Sequence, residues 1–220
     1  MTTNGDAQFW DRSSRKYARE PIADMAGYER SMRRTLELLR PSNRVLELGC
    51  GTGSSALLLA NSVQSYLATD ISPGMIEIAR EKLATSPVGS LSFRVSSAED
   101  VSLDASQYDA VLGFNYLHLV RDLPGTLSRV HRLLKPGGLF MSKTPCLGDM
   151  TPLLGKVLLP AMRAIGKAPH VNVLKQVDLV QGLESAMFDV LLVEDHSTRG
   201  KMKRPYIVAL KPDHPLSRAA

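Results

Sequence analysis

Apolar residues change their spacing along this chain in the rhythm of alternating strands and helices. Met25, Tyr28, Met32, Leu36 and Leu39 recur at helical intervals before Pro41, which predicts a helical N-terminal arm ended by the proline. Apolar runs of strand length follow at Arg44–Leu48, Ser65–Asp70, Leu91–Val95, Tyr108–Phe114, Leu139–Ser142, Val190–Glu194 and Pro205–Leu210. Helical spacing fills most of the intervals, over Ser54–Ala60, Pro73–Leu83, Asp122–Leu134 and Val177–Ala186. Strands that alternate with helices predict an α/β fold around a parallel sheet with right-handed crossovers. The last two runs are joined by a polar stretch with no room for a helix, so they are expected to form an antiparallel hairpin.

Chemistry concentrates where the first strand runs into its helix. Val45-Leu46-Glu47-Leu48-Gly49-Cys50-Gly51-Thr52-Gly53 puts three glycines in that turn, where positive φ costs little and a ligand can lie against backbone N–H groups. A dinucleotide fingerprint spaces its glycines G-x-G-x-x-G; here the spacing is G-x-G-x-G, and Ser54 stands where the third glycine would fall. A lone acid, Asp70, ends the second strand and offers two carboxylate oxygens to a pair of hydroxyls. Ser72-Pro73 reads as an N-cap with proline at the first helical position, which fixes where Asp70 and Ile71 point.

Glu47-Leu48-Gly49-Cys50-Gly51-Thr52-Gly53, followed by Ala68-Thr69-Asp70-Ile71-Ser72-Pro73-Gly74-Met75, resembles the class I S-adenosylmethionine-dependent methyltransferases. The resemblance is specific over about residues 44 to 144; outside them it is looser and similar to the ubiquinone/menaquinone C-methyltransferase group. It implies a Rossmann-like, seven-stranded, mostly parallel sheet of order 3-2-1-4-5-7-6, with the last strand antiparallel, helices on both faces and a helical N-terminal arm. It further implies S-adenosyl-L-methionine as methyl donor and S-adenosyl-L-homocysteine as product. Gly49, Cys50, Gly51 and Gly53 would accommodate the methionine part, with Glu47 bracing the loop, and Asp70 would take the ribose. Ile71 and Met75 are candidates for the adenine face, core packing being the alternative. Ser97 stands where the family often has an aspartate, and with Ala98 and Glu99 it would meet the adenine edge. Phe114 and Asn115 would lie near the methionine end. Two catalytic candidates remain: His118, a general base or a structural residue at a helix opening, and Tyr17, a lid residue first and a catalytic one second, in an arm that also holds Phe9, Trp10 and Asp11. Lys135-Pro136-Gly137-Gly138 is expected to end a helix and turn into strand five.

One domain is expected, divided into a helical arm or lid (1–40), a cofactor-binding core (41–145), a helical insertion that would cover the acceptor (146–187), and a terminal hairpin with a basic tail (188–220). Within the insertion, Met150 to Lys167 is amphipathic, with Leu154, Leu158 and Met162 on one face and Lys156 and Arg163 on the other. It reads as ordinary packing, as an acceptor lid, or as a peripheral membrane contact.

Charge and cysteine content narrow this little further. The formal net charge is +5, and from His196 onward six basic residues (Arg199, Lys201, Lys203, Arg204, Lys211, Arg218) face one acid, Asp213. That reads as solvated surface before it reads as a nucleic-acid stripe. Cys50 and Cys146 are too few for a disulfide framework or a four-ligand zinc site, so no metal or redox chemistry is expected. No run approaches the roughly 20 apolar residues of a membrane span, and the N-terminus lacks a signal pattern, so a cytoplasmic protein is expected. The leading expectation is methyl transfer to a small, lipophilic acceptor at oxygen, nitrogen or activated carbon. The alternatives are an RNA or protein methyltransferase using the basic tail, and a non-enzymatic cofactor-binding protein. Oligomeric state is left open.

Overall fold

A computed structural model of the protein describes residues 3–100, 105–149, 169–198 and 203–213. In chain order the elements are α1 (Thr3–Arg19), α2 (Met25–Leu38), β1 (Arg44–Leu48), α3 (Ser54–Leu59), β2 (Ser65–Asp70), α4 (Pro73–Thr85), β3 (Leu91–Val95), β4 (Tyr108–Phe114), α5 (Leu123–Leu133), β5 (Leu134–Lys143), α6 (Gln176–Ser185), β6 (Asp189–Asp195) and β7 (Pro205–Leu210). The seven strands form one sheet of order β3-β2-β1-β4-β5-β7-β6. β1 to β5 pair in parallel, while β7 runs antiparallel to both β5 and β6, as the hairpin expectation requires.

Alternation along the strands divides the apolar side chains between two layers. On one face Val45, Tyr66, Ala68, Ala110, Leu112, Met141, Tyr206 and Val208 pack with Met32 of α2, Leu59 of α3 and Ile76 of α4. On the other, Leu46, Leu48, Val111, Phe140, Ile207 and Ala209 pack with Leu127 and Val130 of α5 and Leu179 and Leu183 of α6. Burial on both faces explains why the central strands read as continuous apolar runs. It also leaves the carboxyl ends of β1, β2 and β4 as the place where polar groups converge.

Strand five differs from its expected span. Leu134 already pairs with Tyr108, and the register then jumps so that Ala110 faces Leu139. Pro136, Gly137 and Gly138 form a bulge inside a continuous strand. Gly137 takes φ +72°, and the end of β7 closes the bulge: Gly137 N–H donates to Lys211 O at 2.8 Å and Lys211 N–H to Gly138 O at 2.9 Å. The amphipathic stretch Met150–Lys167 lies outside the described residues.

α2 is tied to the sheet by a buried polar network. The Lys143 ammonium, 8% exposed at the end of β5, donates to Gly27 O at 2.7 Å, and burial lowers its pKa to about 8. Ser31 Oγ donates to the same carbonyl at 2.7 Å and lies 3.0 Å from Nδ1 of fully buried His196, whose Nε2 is 2.7 Å from Glu194 Oε2. This serine, histidine and carboxylate line up like a nucleophile and its base, but the hydroxyl proton is engaged by a backbone carbonyl and the imidazole is sealed from solvent, so the group is structural. The His196 ring stacks on Tyr206, whose hydroxyl is 2.9 Å from Thr35 Oγ1.

Gly27 is the narrowest point of this contact. A β-carbon there would stand within 2.4 Å of His196 O and 2.5 Å of Asp24 Oδ2. Gly27→Ala is therefore expected to push α2 off the sheet, lengthen both hydrogen bonds to Gly27 O and destabilise the fold by about 1–3 kcal/mol. Urea unfolding of the variant checks this; an unchanged midpoint would show that α2 yields without cost.

Candidate functional site

At the carboxyl edge of the parallel strands lies a cavity of about 670 Å³, the place where an open α/β sheet offers room for a ligand. Its floor is the turn after β1. Gly49, Gly51 and Gly53 all take positive φ (+68°, +54° and +77°). At Gly49 a β-carbon would also strike the Tyr116 ring at 2.6 Å, so the turn is held open by sterics from the β4 side. Gly53 has a different reason: a β-carbon there would meet the Phe93 ring at 2.6 Å and Ala79 at 3.0 Å. It packs α3 against α4 and β3 and does not line the cavity, although the resemblance had grouped it with the ligand-facing glycines.

Asp70 is the hub of this end. Its Oδ2 accepts from Gly51 N–H and its Oδ1 from Ser72 N–H, both at 2.9 Å. Each oxygen keeps a lone pair for a further donor. Burial pushes its pKa up and the two amides oppose that shift. Ser72 caps α4 as its sequence predicts, accepting from Met75 N–H at 3.1 Å with Pro73 in the first turn. Its own hydroxyl donates to Asp11 Oδ1 at 2.5 Å, which also accepts from Gly74 N–H at 2.9 Å. A carboxylate from α1 thus caps α4, a long-range contact that nothing in the local pattern announces.

The remaining candidates fall around the same cavity. Glu47, Gly49, Cys50, Gly51, Ile71, Met75, Ser97, Ala98, Glu99, Phe114 and Asn115 all line it, as do Tyr17 and His118. Met75 is only 2% exposed, so it is at once core and wall. Asn115 turns at φ +52°, its N–H donating to Lys143 O at 2.7 Å. Cys50 is buried and its thiol pKa is raised far above the ordinary value by that burial, which makes it inert wall.

α1 lies across this edge. Arg15 pairs with Glu81 of α4 at 2.7 Å and Arg121 with Asp6 at 2.7 Å, so the helix is held on both sides of the opening. Trp10 and Tyr17, edge to face at 6.2 Å, hang into the cavity, and a β-carbon on Gly51 would touch the Tyr17 ring at 3.9 Å. His118 is not at a helix opening as expected: it sits in the turn between β4 and α5, whose first residue is Leu123. The strand's end forces that turn, with Leu119 N–H closing on Tyr116 O at 2.9 Å, and Asp122 provides the real cap through Gly125 N–H. Burial and the nearby Arg204 lower His118 to about 4, and its Nδ1 is buried without a partner among the described residues.

Among the lining residues that the sequence pattern did not assign to the site are Tyr28, Tyr116, His170 and Arg204. Tyr28 was legible only as a helix-face residue, and Tyr116 only as part of strand four's exit. Arg204 was counted with the basic tail, yet it precedes an antiparallel strand, and this reversal carries it to the ligand edge.

The described residues contain neither a cluster able to hold a metal ion nor a helix long and apolar enough to cross a membrane.

Comparison with known proteins agrees with this geometry. A family model described as a methyltransferase domain matches residues 45–138. A demethylmenaquinone methyltransferase from Symbiobacterium thermophilum is 36% identical over 106 residues, covering 46% of this chain; the chain in turn spans 42% of that relative's length. In fold, the YcgJ protein of Bacillus subtilis superposes with a TM-score of 0.70 at 16% identity, covering 84% of this chain and all of that one. The [4+2]-cyclase SpnF superposes at 0.71 with 18% identity, covering 84% and 81%. A shared fold therefore does not decide the reaction.

Glu47 supplies a test of the site's electrostatics. It is 2% exposed, accepts from the Tyr66 hydroxyl at 2.9 Å, and is pushed up to about 7 by burial. Folding then takes up a proton between the ordinary value of 4.5 and about 7, so the native state loses stability as pH rises through that window. Glu47→Gln keeps an oxygen for Tyr66 and has no proton to lose. It should match wild type near pH 4.5 and exceed it at pH 8 by on the order of 2–3 kcal/mol in urea unfolding. The same difference at both pH values would mean that Glu47 ionises normally.

Proposed function

We propose that this chain, a member of the class I S-adenosylmethionine-dependent methyltransferases, transfers a methyl group to a small, lipophilic acceptor. The observation that carries the reading is Asp70: a desolvated carboxylate, fixed by two backbone amides, that lines the cavity beside the glycine turn with lone pairs still free. Such a group fits the paired hydroxyls of a ribose. Glu99 adds acidic character to the same end as Asp70, and the pair suits a cationic donor better than a dinucleotide, whose pyrophosphate would meet these carboxylates.

S-adenosylmethionine supplies an electrophilic methyl group on a sulfonium, open to in-line displacement by the acceptor. The chain's own part is to orient and to exclude water. Gly49 and Gly51 would give the methionine part close access to backbone. Cys50 and Asn115 would border it, and Phe114 would flank it. Ile71 and Met75 would cover the adenine, with the Ser97 hydroxyl and Ala98 backbone at its edge. Tyr17 and Trp10 of α1 would close the site over the bound pair.

Neither catalytic candidate is poised as a strong base. His118 at about 4 is a weak proton acceptor near neutrality. Burial first, and then the Asp70 carboxylate, push the Tyr17 phenol up. This favours an acceptor that needs no base, such as activated carbon or a neutral amine, or one that arrives ionised. The cavity's other walls include Trp10, Ile22, Leu119, Val120 and Pro145, apolar surface that suits a lipophilic molecule. Similarity to a demethylmenaquinone methyltransferase supports an acceptor of that kind. An RNA or protein acceptor gripped by the basic segment has less support, since the Lys211 ammonium is engaged by Leu134 O at 2.8 Å and Arg204 borders the cavity.

S-adenosylhomocysteine at about 100 times its dissociation constant should stabilise the protein by roughly 2.7 kcal/mol, a rise in Tm of about 5–10 °C. NADP should give no shift. Asp70→Asn should keep the fold and lose at least tenfold in affinity by calorimetry. A wild-type protein stabilised by NADP and indifferent to S-adenosylhomocysteine would sink this reading.

A further inference from the structure

The cavity's two halves differ in charge. Glu47, Asp70 and Glu99 stand at the ends of β1 and β2 and just beyond β3, in the half assigned above to the methyl donor. Arg204 enters from the other half. β7 is antiparallel, and Lys143 at the carboxyl end of β5 pairs with Tyr206, so the residues before β7 emerge at the edge where the parallel strands end. With β4 and β5 between β1 and β7, three strand spacings separate the glycine turn from the start of β7, roughly 14 Å. Arg204 therefore starts well away from the donor's floor: its charge acts on His118 and, as a smaller influence, on the Tyr17 phenol. The backbone on either side of it pairs with Thr144 and Cys146 around Pro145, and His170 follows close by, since Asn172 N–H donates to His118 O at 2.7 Å.

Arg204 is half-buried, and no described residue forms an ion pair or hydrogen bond with it. The cavity's other cations are engaged: Arg121 by Asp6, and Lys82 by the carbonyl and hydroxyl of Thr52 at 3.0 and 2.9 Å. A guanidinium with an open fork facing a partly apolar cavity is a receptor for a planar oxyanion, which it can meet with two parallel hydrogen bonds. His118 does not compete for this role, because burial and Arg204 itself keep it uncharged.

We propose that the methyl acceptor is an apolar molecule bearing one oxyanion of the carboxylate type, and that Arg204 is its counter-ion. The inference rests on the reading that the glycine-turn half holds the methyl donor. It gives Arg204 a binding and positioning role: the anionic group anchors one end of the acceptor, and the apolar walls hold the rest against Trp10 and Leu119.

The test uses the full chain, with and without saturating S-adenosylhomocysteine, and two probes of one shape, 2-naphthoate and 2-naphthamide, titrated by calorimetry. Wild type should bind naphthoate at least tenfold more tightly than naphthamide, and added salt should narrow the gap. Arg204→Gln should abolish the preference while its affinity for S-adenosylhomocysteine stays within about twofold of wild type; Arg204→Lys should retain part of the preference. Equal affinities for the two probes, no measurable binding of naphthoate, or a preference that survives in Arg204→Gln would overturn the proposal. So would loss of S-adenosylhomocysteine binding in Arg204→Gln, which would assign the guanidinium to the donor's own carboxylate. Failure of wild type to bind S-adenosylhomocysteine would instead strike the parent reading, and the two naphthyl probes would still decide whether Arg204 takes an oxyanion.

Discussion

The Asp70 carboxylate, held between the N–H of Gly51 and the N–H of Ser72, is the contact on which the rest of the site depends. It joins the turn after β1 to the turn after β2, two loops that parallel pairing brings side by side but does not itself lock together. Burying a carboxylate is costly, and two amide donors offset only part of that cost. The residual demand for donors is what suits the position to a ligand as well as to a brace. From Ser72 the same logic continues outward: its hydroxyl donates to Asp11, so α1 is registered against the very helix start that orients Asp70. Glycine turn, Asp70, helix cap and N-terminal arm are one hydrogen-bonded chain.

What was legible in the sequence follows from how local each cause is. β1, β2, β3, β4 and β7 lie where their apolar runs put them: β1, β4 and β7 are buried nearly throughout and read as continuous apolar stretches, while the edge strand β3 alternates buried with exposed positions. Ser72-Pro73 announced its own cap for the same reason: donor and acceptor are three residues apart. Strand five was harder. Pro136-Gly137-Gly138 looks like a turn, and only the backbone of Lys211, far away in sequence, makes it a bulge within a longer strand.

In the site, glycines were easier to find than to explain. Gly49 and Gly53 both take positive φ, yet Gly49 yields space to Tyr116 beside the cavity, and Gly53 yields it to Phe93 within the core. Spacing alone cannot separate a glycine that faces a ligand from one that faces a phenylalanine. Asp11 and Arg204 were hidden for a related reason, since each acts on residues of distant elements and carries no motif of its own. His118 was visible as a residue type but misplaced, because the chain leaves β4 through a turn before α5 begins.

The reversed edge strand gives the fold its asymmetry of charge. In a purely parallel sheet the segment preceding each strand lies at the amino edge, away from the ligands, and only the segments that follow strands can furnish the site. β7 breaks that rule. Its antiparallel course delivers the residues in front of it, Arg204 among them, to the same edge as Glu47 and Asp70. The cavity can then be acidic over β1 and β2 and basic beside β5 and β7 without placing opposite charges in contact, where they would neutralise each other as an ion pair. A cationic donor and an anionic acceptor would be drawn to opposite ends by the same field. Their reacting atoms would have to meet between, in the region bordered by Asn115, Tyr116 and the ring of Tyr17.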